Sequence, residues 1–185
     1  MTNDVLNRAE ASMRKGVEAT VREFVGVRTG RASTALVQGI TVDCYGTPTP
    51  LQQVATVATP ETRLITIQPW DQSLVPAIEK AILKSDLGIT PSSDGRIIRI
   101  AIPPLTEERR KELVRIVRRM TEEGRVAIRN IRRDANEKLK SLEKQKQISE
   151  DGLKKATDSV QKLTDKYIKE IEMALASKEK EILEF

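Results

Sequence analysis

From Leu113 to Leu142 an apolar or small residue returns at every third or fourth position: Leu113, Val117, Met120, Gly124, Ala127, Ile131, Ala135, Leu139 and Leu142. That spacing keeps one stripe of an α-helix dry over about eight turns. The run follows Pro103-Pro104; Thr106 is placed to cap it, and Glu107 and Glu108 complement the positive end of the helix dipole. At about 1.5 Å per residue, a helix of about forty residues reaches roughly 60 Å. A stripe that long needs equally long partners. Two other segments offer them: Leu6, Ala9, Met13, Val17, Thr20, Phe24 and Val27, and then, after the candidate cap Ser149, Leu153, Ala156, Val160, Leu163, Tyr167, Ile171, Leu175 and Ile182. Three stripes closing on one another predict an elongated antiparallel three-helix bundle built from residues 1–30 and 106–185.

Residues 31–105 change character. GITVDCYG, QQVATVAT, RLITIQPW and GRIIRIAI are short, rich in β-branched residues and bounded by Gly, Pro and Thr, which predicts strands. SLVPAIEKAILKSDLG between them reads as one helix with Val75, Ile78, Ile82 and Leu83 on its inner side and Gly88 as its stop. The fold class is therefore α+β in two domains, with a small, mostly β, α/β domain inserted between the first and second bundle helices. Such an insertion needs two chain crossings, here 28–33 and 102–106. Gly30 between Arg28 and Arg31 on one, and Pro103 and Pro104 on the other, suit a hinge of defined stiffness.

The outgoing crossing, RTGRAS, pairs glycine with cations as phosphate loops do. Such a loop needs a strand before it and Gly-Lys-Ser/Thr opening a helix after it; here a helix precedes, a strand-like region follows, and the chain has no Gly-Lys dipeptide. The simpler reading puts Gly30 in a left-handed conformation ending the first helix, with Arg28 in its last turn. Composition narrows the chemistry further. No histidine occurs in the 185 residues and Cys44 is the only cysteine, so a Ser-His-Asp triad, a Cys-His pair and a zinc cluster are excluded by count. Adjacent carboxylates such as Glu107-Glu108 and Glu122-Glu123 do not face one another on a helix and read as caps and solubilising charge. The start, MTNDVLNRAE, has no apolar run that would serve as a signal peptide or membrane anchor, so a cytoplasmic protein is expected. Trp70 and Cys44 read as packing residues.

Charge is where the chain is distinctive. Residues 107–148 hold 14 basic and 8 acidic residues, and this one segment carries more than the whole net charge of +5. Stepping along the helix from Lys111 gives Arg115, Arg118, Glu122, Arg125, Arg129 and Arg132, roughly opposite the apolar stripe because an offset of two residues turns a helix by about 200°. A solvated charged face is the usual meaning of such a run. Arginine dominance points instead to phosphate, which guanidinium binds in bidentate fashion. With aromatics at 3% and no base-reading motif, the matching ligand is structured RNA contacted through its backbone. A helical scaffold for a protein partner is the alternative, and it predicts salt-insensitive binding through an exposed apolar patch.

RTGRAS after the first helix, YGTPTPL, SDLG, PPLTEERRKEL, RVAIRNIRRDAN, and ISED before a helix containing QKLTDKYI together resemble the ribosome recycling factor family over essentially the whole chain. The resemblance implies an L-shaped molecule with a two-stranded hinge. It implies binding to the post-termination ribosome, with the bundle lying across the aminoacyl and peptidyl sites of the large subunit. It also implies that, with elongation factor G hydrolysing GTP, the subunits separate and mRNA and tRNA are released. Carried over residue by residue, the ribosomal RNA contacts are Arg110, Arg129, Arg132 and Arg133; Arg118 and Arg125 of the same face join them, and Arg28 and Arg31 serve the hinge or the RNA. No catalytic residue, cofactor or metal is implied, and a monomer is expected. Cys44 departs from the aromatic residue common in the family before Tyr45-Gly46.

Overall fold

The computed structural model describes residues 1–184. Contacts divide them into two compact units, Met1–Arg28 with Glu107–Glu184, and Thr29–Thr106. The first unit is all helix: α1 (Thr2–Gly26), α3 (Glu107–Lys144) and α4 (Glu150–Glu184). Each packs on the other two. α3 and α4 are joined by a short turn in which Lys146 takes φ 58°, so they run antiparallel. α1 runs parallel to α4, since Ala9 packs with Ala135, Leu139, Ala156 and Val160, and Met13 and Val17 pack with Ile128, Tyr167 and Ile171. Ser149 caps α4, its Oγ accepting from the Gly152 amide at 3.0 Å.

The α1 stripe is the expected one. On α3 the buried residues are Leu113, Val117, Thr121, Gly124, Ile128, Ala135 and Leu139. Thr121 and Ile128 thus replace the expected Met120, which is half-buried, and Ala127, which is exposed. A straight helix drifts against an alternating four-three spacing, and the seam follows the helix. Thr121 is tolerated there because its hydroxyl donates to the Val117 carbonyl at 2.9 Å. α4 likewise buries Thr164, bonded to the Val160 carbonyl at 2.8 Å.

The expected glycine stop of α1 is not found. The helix ends at Gly26, capped by Val27 in an extended conformation (φ −81°, ψ 108°), and its last turn holds no basic residue. Val27 is β-branched and buried, and burying it in extended form ends the helix four residues before Gly30. Arg28 lies beyond the helix, exposed.

In the second unit a four-stranded antiparallel sheet has the order β3 (Ala55–Glu61), β4 (Leu64–Pro69), β6 (Ile98–Ala101), β5 (Ser92–Ser93), and β1 (Thr41–Cys44) pairs with β2 (Thr47–Pro50) as a separate hairpin. β4 and β6 alternate, so that Ile65 opposite Ile100 and Ile67 opposite Ile98 turn inward in register. α2 (Val75–Lys84) contributes Ile78 and Ile82 to the same core. Burying one such side chain stabilises by about 1.5–3 kcal/mol. Leu83, expected inside, is 60% exposed. α2 stops at Lys84, where Ser85 is extended and its hydroxyl donates to the Ile82 carbonyl at 2.6 Å, and Gly88 (φ 69°) shapes the turn that follows. Trp70, expected in the core, is 69% exposed and donates from Nε1 to Thr56 Oγ1 at 3.1 Å. It extends the outward row of Thr56 and Gln68, where nothing in the unit covers it. Cys44 is half-buried against the core.

Asp94 holds the β5–β6 turn. Its Oδ1 accepts from the amides of Arg96 and Ile97, each at 2.9 Å, and Oδ2 accepts from Arg99 at 3.2 Å. The Ile97 and Arg96 amides, with Arg99 behind them, hold its pKa down at about 2. A depressed carboxylate stabilises above its ordinary range and loses that contribution as pH falls through its folded value. Asp94→Ala is therefore expected to speed amide exchange at Arg96 and Ile97 near neutral pH, and the difference from the parent chain should vanish as pH approaches 2.

Candidate nucleic-acid interface

All the arginines of the basic face sit on α3, and the helix hairpin decides what each of them meets. In an antiparallel pair, seven residues forward on α3 correspond to seven back on α4. Arg118 Nε lies 2.6 Å from Glu179 Oε1, and Arg125 Nη2 lies 3.5 Å from Glu172 Oε1. Glu122 accepts from Arg125 Nη1 at 3.2 Å and from Arg129 Nη1 at 3.1 Å, and these two bonds lower its pKa. Arg118 in turn has its pKa raised by the bond to Glu179. Exposed pairs of this kind add little to stability, because water and salt screen them. Their larger effect is to cancel charge over the middle of the face, where the sequence alone reads an unbalanced excess.

Further along, the cancellation stops. Arg129, Asn130, Arg132, Arg133, Asn136, Glu137 and Lys140 line an open groove of about 410 Å³. Among the described residues, Arg132, Arg133 and Lys140 lie in no ion pair. Arg132 Nη1 donates to a neutral acceptor, Gln161 Oε1, at 3.2 Å. Asn136 Oδ1 is buried in the same groove without a protein donor. Three cations outside any ion pair, two of them arginines, in one open groove suit a polyanion such as an RNA backbone.

The remaining candidates lie apart from the groove. Arg110, near the start of α3, is half-buried; its Nη1 donates to the Leu183 carbonyl at 2.7 Å, in the last turn of α4, and its Nε is buried without a partner. On the chain crossings, Arg28, Arg31, Pro103 and Pro104 are exposed and Gly30 is buried. Both crossings are tied to the β3–β4 turn, since the Ala32 amide donates to the Thr62 carbonyl at 2.7 Å and the Ile102 amide to the Arg63 carbonyl at 2.8 Å. Among the described residues, no group of three or more His, Cys, Asp or Glu side chains forms a candidate metal site. Among the described residues, no helix is long and apolar enough to cross a membrane.

Comparison with known proteins gives this geometry its context. The family model for ribosome recycling factor matches residues 20–183. The chain is 59% identical over 180 residues to the ribosome-recycling factor of Nitratidesulfovibrio vulgaris, covering 97% of each. It is 55% identical over 184 residues to that of Symbiobacterium thermophilum, covering 100% of each. A solution structure of ribosome recycling factor superposes with a TM-score of 0.74 at 49% identity, covering 100% of this chain and 98% of the other. A second match, with a TM-score of 0.64 at 48% identity and 99% coverage of each chain, comes from models for the T. thermophilus factor and E. coli elongation factor G bound to the E. coli post-termination complex. A two-unit translation factor is the class to which these matches assign the helical bundle and its inserted sheet. The chain belongs to the ribosome recycling factor family.

Proposed function

We propose that this chain recycles ribosomes after translation termination in the cytoplasm: it binds the post-termination ribosome and, with elongation factor G and GTP, separates the subunits and frees mRNA and tRNA. The observation that carries this reading is the full-length relationship to ribosome recycling factors, one of which is described together with elongation factor G on the post-termination complex. The chain makes and breaks no covalent bond in this scheme; GTP hydrolysis belongs to elongation factor G.

The groove supports electrostatic docking on ribosomal RNA of the large subunit. Arg129, Arg132 and Arg133 are its principal contacts. Arg118 and Arg125 join once RNA phosphate displaces their weak α4 carboxylate partners, and Arg110 contributes from the far end of α3. Domain boundaries at 1–30 with 106–185 and at 31–105 leave 28–33 and 102–106 as the hinge. Arg28, Gly30, Arg31, Pro103 and Pro104 then set how the smaller domain moves when elongation factor G pushes it.

Light scattering of post-termination ribosomes tests the function: adding the chain with elongation factor G and GTP should produce subunit dissociation that neither protein gives alone. Undiminished scattering at saturating protein would refute it. Within that scheme Arg132→Ala should keep its melting temperature and lose roughly tenfold in large-subunit affinity, the share of one phosphate contact at physiological salt.

A further inference from the structure

The α3–α4 hairpin forms a ladder whose rungs repeat every seven residues: Arg118 with Glu179, then Arg125 with Glu172. The next rung by the same count is Arg132 with Asp165, again a guanidinium and a carboxylate. That ion pair does not form. Gln161, one turn before Asp165 on α4, bonds to both, accepting from Arg132 Nη1 at Oε1 (3.2 Å) and donating from Nε2 to Asp165 Oδ1 (2.8 Å). The amide has only one orientation that satisfies both neighbours. Guanidinium can only donate and an ionised carboxylate can only accept, so the oxygen must face Arg132 and the nitrogen Asp165.

We propose that Gln161 is a positioning residue that points the Arg132 guanidinium at its RNA phosphate and keeps it out of an ion pair with Asp165. This rests on the assignment of Arg132 to ribosomal RNA. A neutral acceptor fixes the long side chain without cancelling its charge, whereas the carboxylates facing Arg118 and Arg125 fix theirs and cancel it. Holding one flexible side chain in its bound geometry is worth a factor of about 2 to 10 in affinity. Removing the amide carries a second cost, because Arg132 can then close on Asp165 and must break that pair to bind. The QKLTDKYI segment of α4 thereby gains a role: its first residue and its aspartate tune an arginine on the neighbouring helix.

The test is a set of equilibrium affinities for purified large ribosomal subunits at fixed salt, with each variant's melting temperature measured alongside. Gln161→Ala should bind roughly fivefold to tenfold more weakly and melt like the parent. Gln161→Ala with Asp165→Asn should recover most of the loss, because the competing carboxylate is gone; a merely structural role for Gln161 would not be rescued that way. Gln161→Ala should have no further effect in the Arg132→Ala background. If Arg132→Ala weakens binding while Gln161→Ala does not, or if the double variant fails to recover, the positioning role is wrong. If Arg132→Ala itself binds like the parent, the RNA assignment fails and takes this inference with it.

Discussion

Gly124→Leu should destabilise the helical bundle by about 3 kcal/mol, the upper part of what overpacking a tight core costs. A Cβ built at Gly124 would stand 2.5 Å from Thr20 Oγ1 and 3.2 Å from Ile171 Cδ1, so α1 and α4 both press on α3 at this point. Neither neighbour yields freely. The Thr20 hydroxyl is spent on the Gly16 carbonyl at 3.1 Å, and Ile171 is fully buried. Glycine within a helix is itself unfavourable by about 1 kcal/mol relative to alanine. Alanine at 124 recovers that propensity but must displace the Thr20 hydroxyl, at about 1–3 kcal/mol if the group is left buried without a partner. Gly124→Ala should therefore fall between neutral and mildly destabilising. Leucine recovers nearly the same propensity, but its larger side chain has no room between Thr20 and Ile171, and that overpacking dominates. Urea unfolding followed by helix content checks both, and a leucine variant that unfolds with the parent would show that the three helices do not meet closely there.

Converting Arg129, Arg132 and Arg133 together to glutamine should lower affinity for the large subunit by about a hundredfold or more near 0.1 M salt. Each phosphate contact releases about one counterion, worth somewhat less than a factor of ten at that concentration. The fold should be unaffected, because all three side chains line the open groove and none belongs to the buried seam of α3. Converting Arg118 and Arg125 instead should cost less, since their charge is already offset by Glu179, Glu172 and Glu122. The contrast separates a set in which Arg132 and Arg133 lie in no ion pair, and Arg129 meets Glu122 alone, from two arginines that both face α4 carboxylates, and subunit pelleting with each variant reads it directly.

Much of this is legible before any coordinates. The stripe of α1 and most of that of α4 depend only on helix period, although on α4 Thr164 is buried where Leu163 is expected; Ile65, Ile67, Ile98 and Ile100 depend only on strand alternation, so these appear in the pattern of residues. Thr121 and Ile128 were less accessible: hydropathy favours Met120, and only the drift of a real helix, with a hydroxyl satisfied by its own backbone, selects the threonine. β2 escapes sequence reasoning because TPTP looks unlike a strand. It is admitted at the free edge of a two-stranded hairpin, where Pro48 and Pro50 need no ladder donor. The Cys44–Thr47 turn that feeds it takes positive φ at both Tyr45 and Gly46. On the candidate site, helix period alone shows that the arginines share a face. It cannot show that Glu172 and Glu179 reach across from α4, because the register between two helices is set by packing and by the turn joining them. The same register hides Gln161, whose neighbour on α3 lies 29 residues away in the chain.

The most direct measurement is the salt dependence of binding to purified large ribosomal subunits. For the parent chain, the logarithm of the association constant should fall linearly and steeply with the logarithm of salt concentration, with a slope close to the number of phosphates contacted. For the variant with Arg129, Arg132 and Arg133 all changed to glutamine, the slope should be shallower by about three, one for each lost contact. Equal slopes for the two proteins, or a parent affinity indifferent to salt, would contradict docking through the arginine groove.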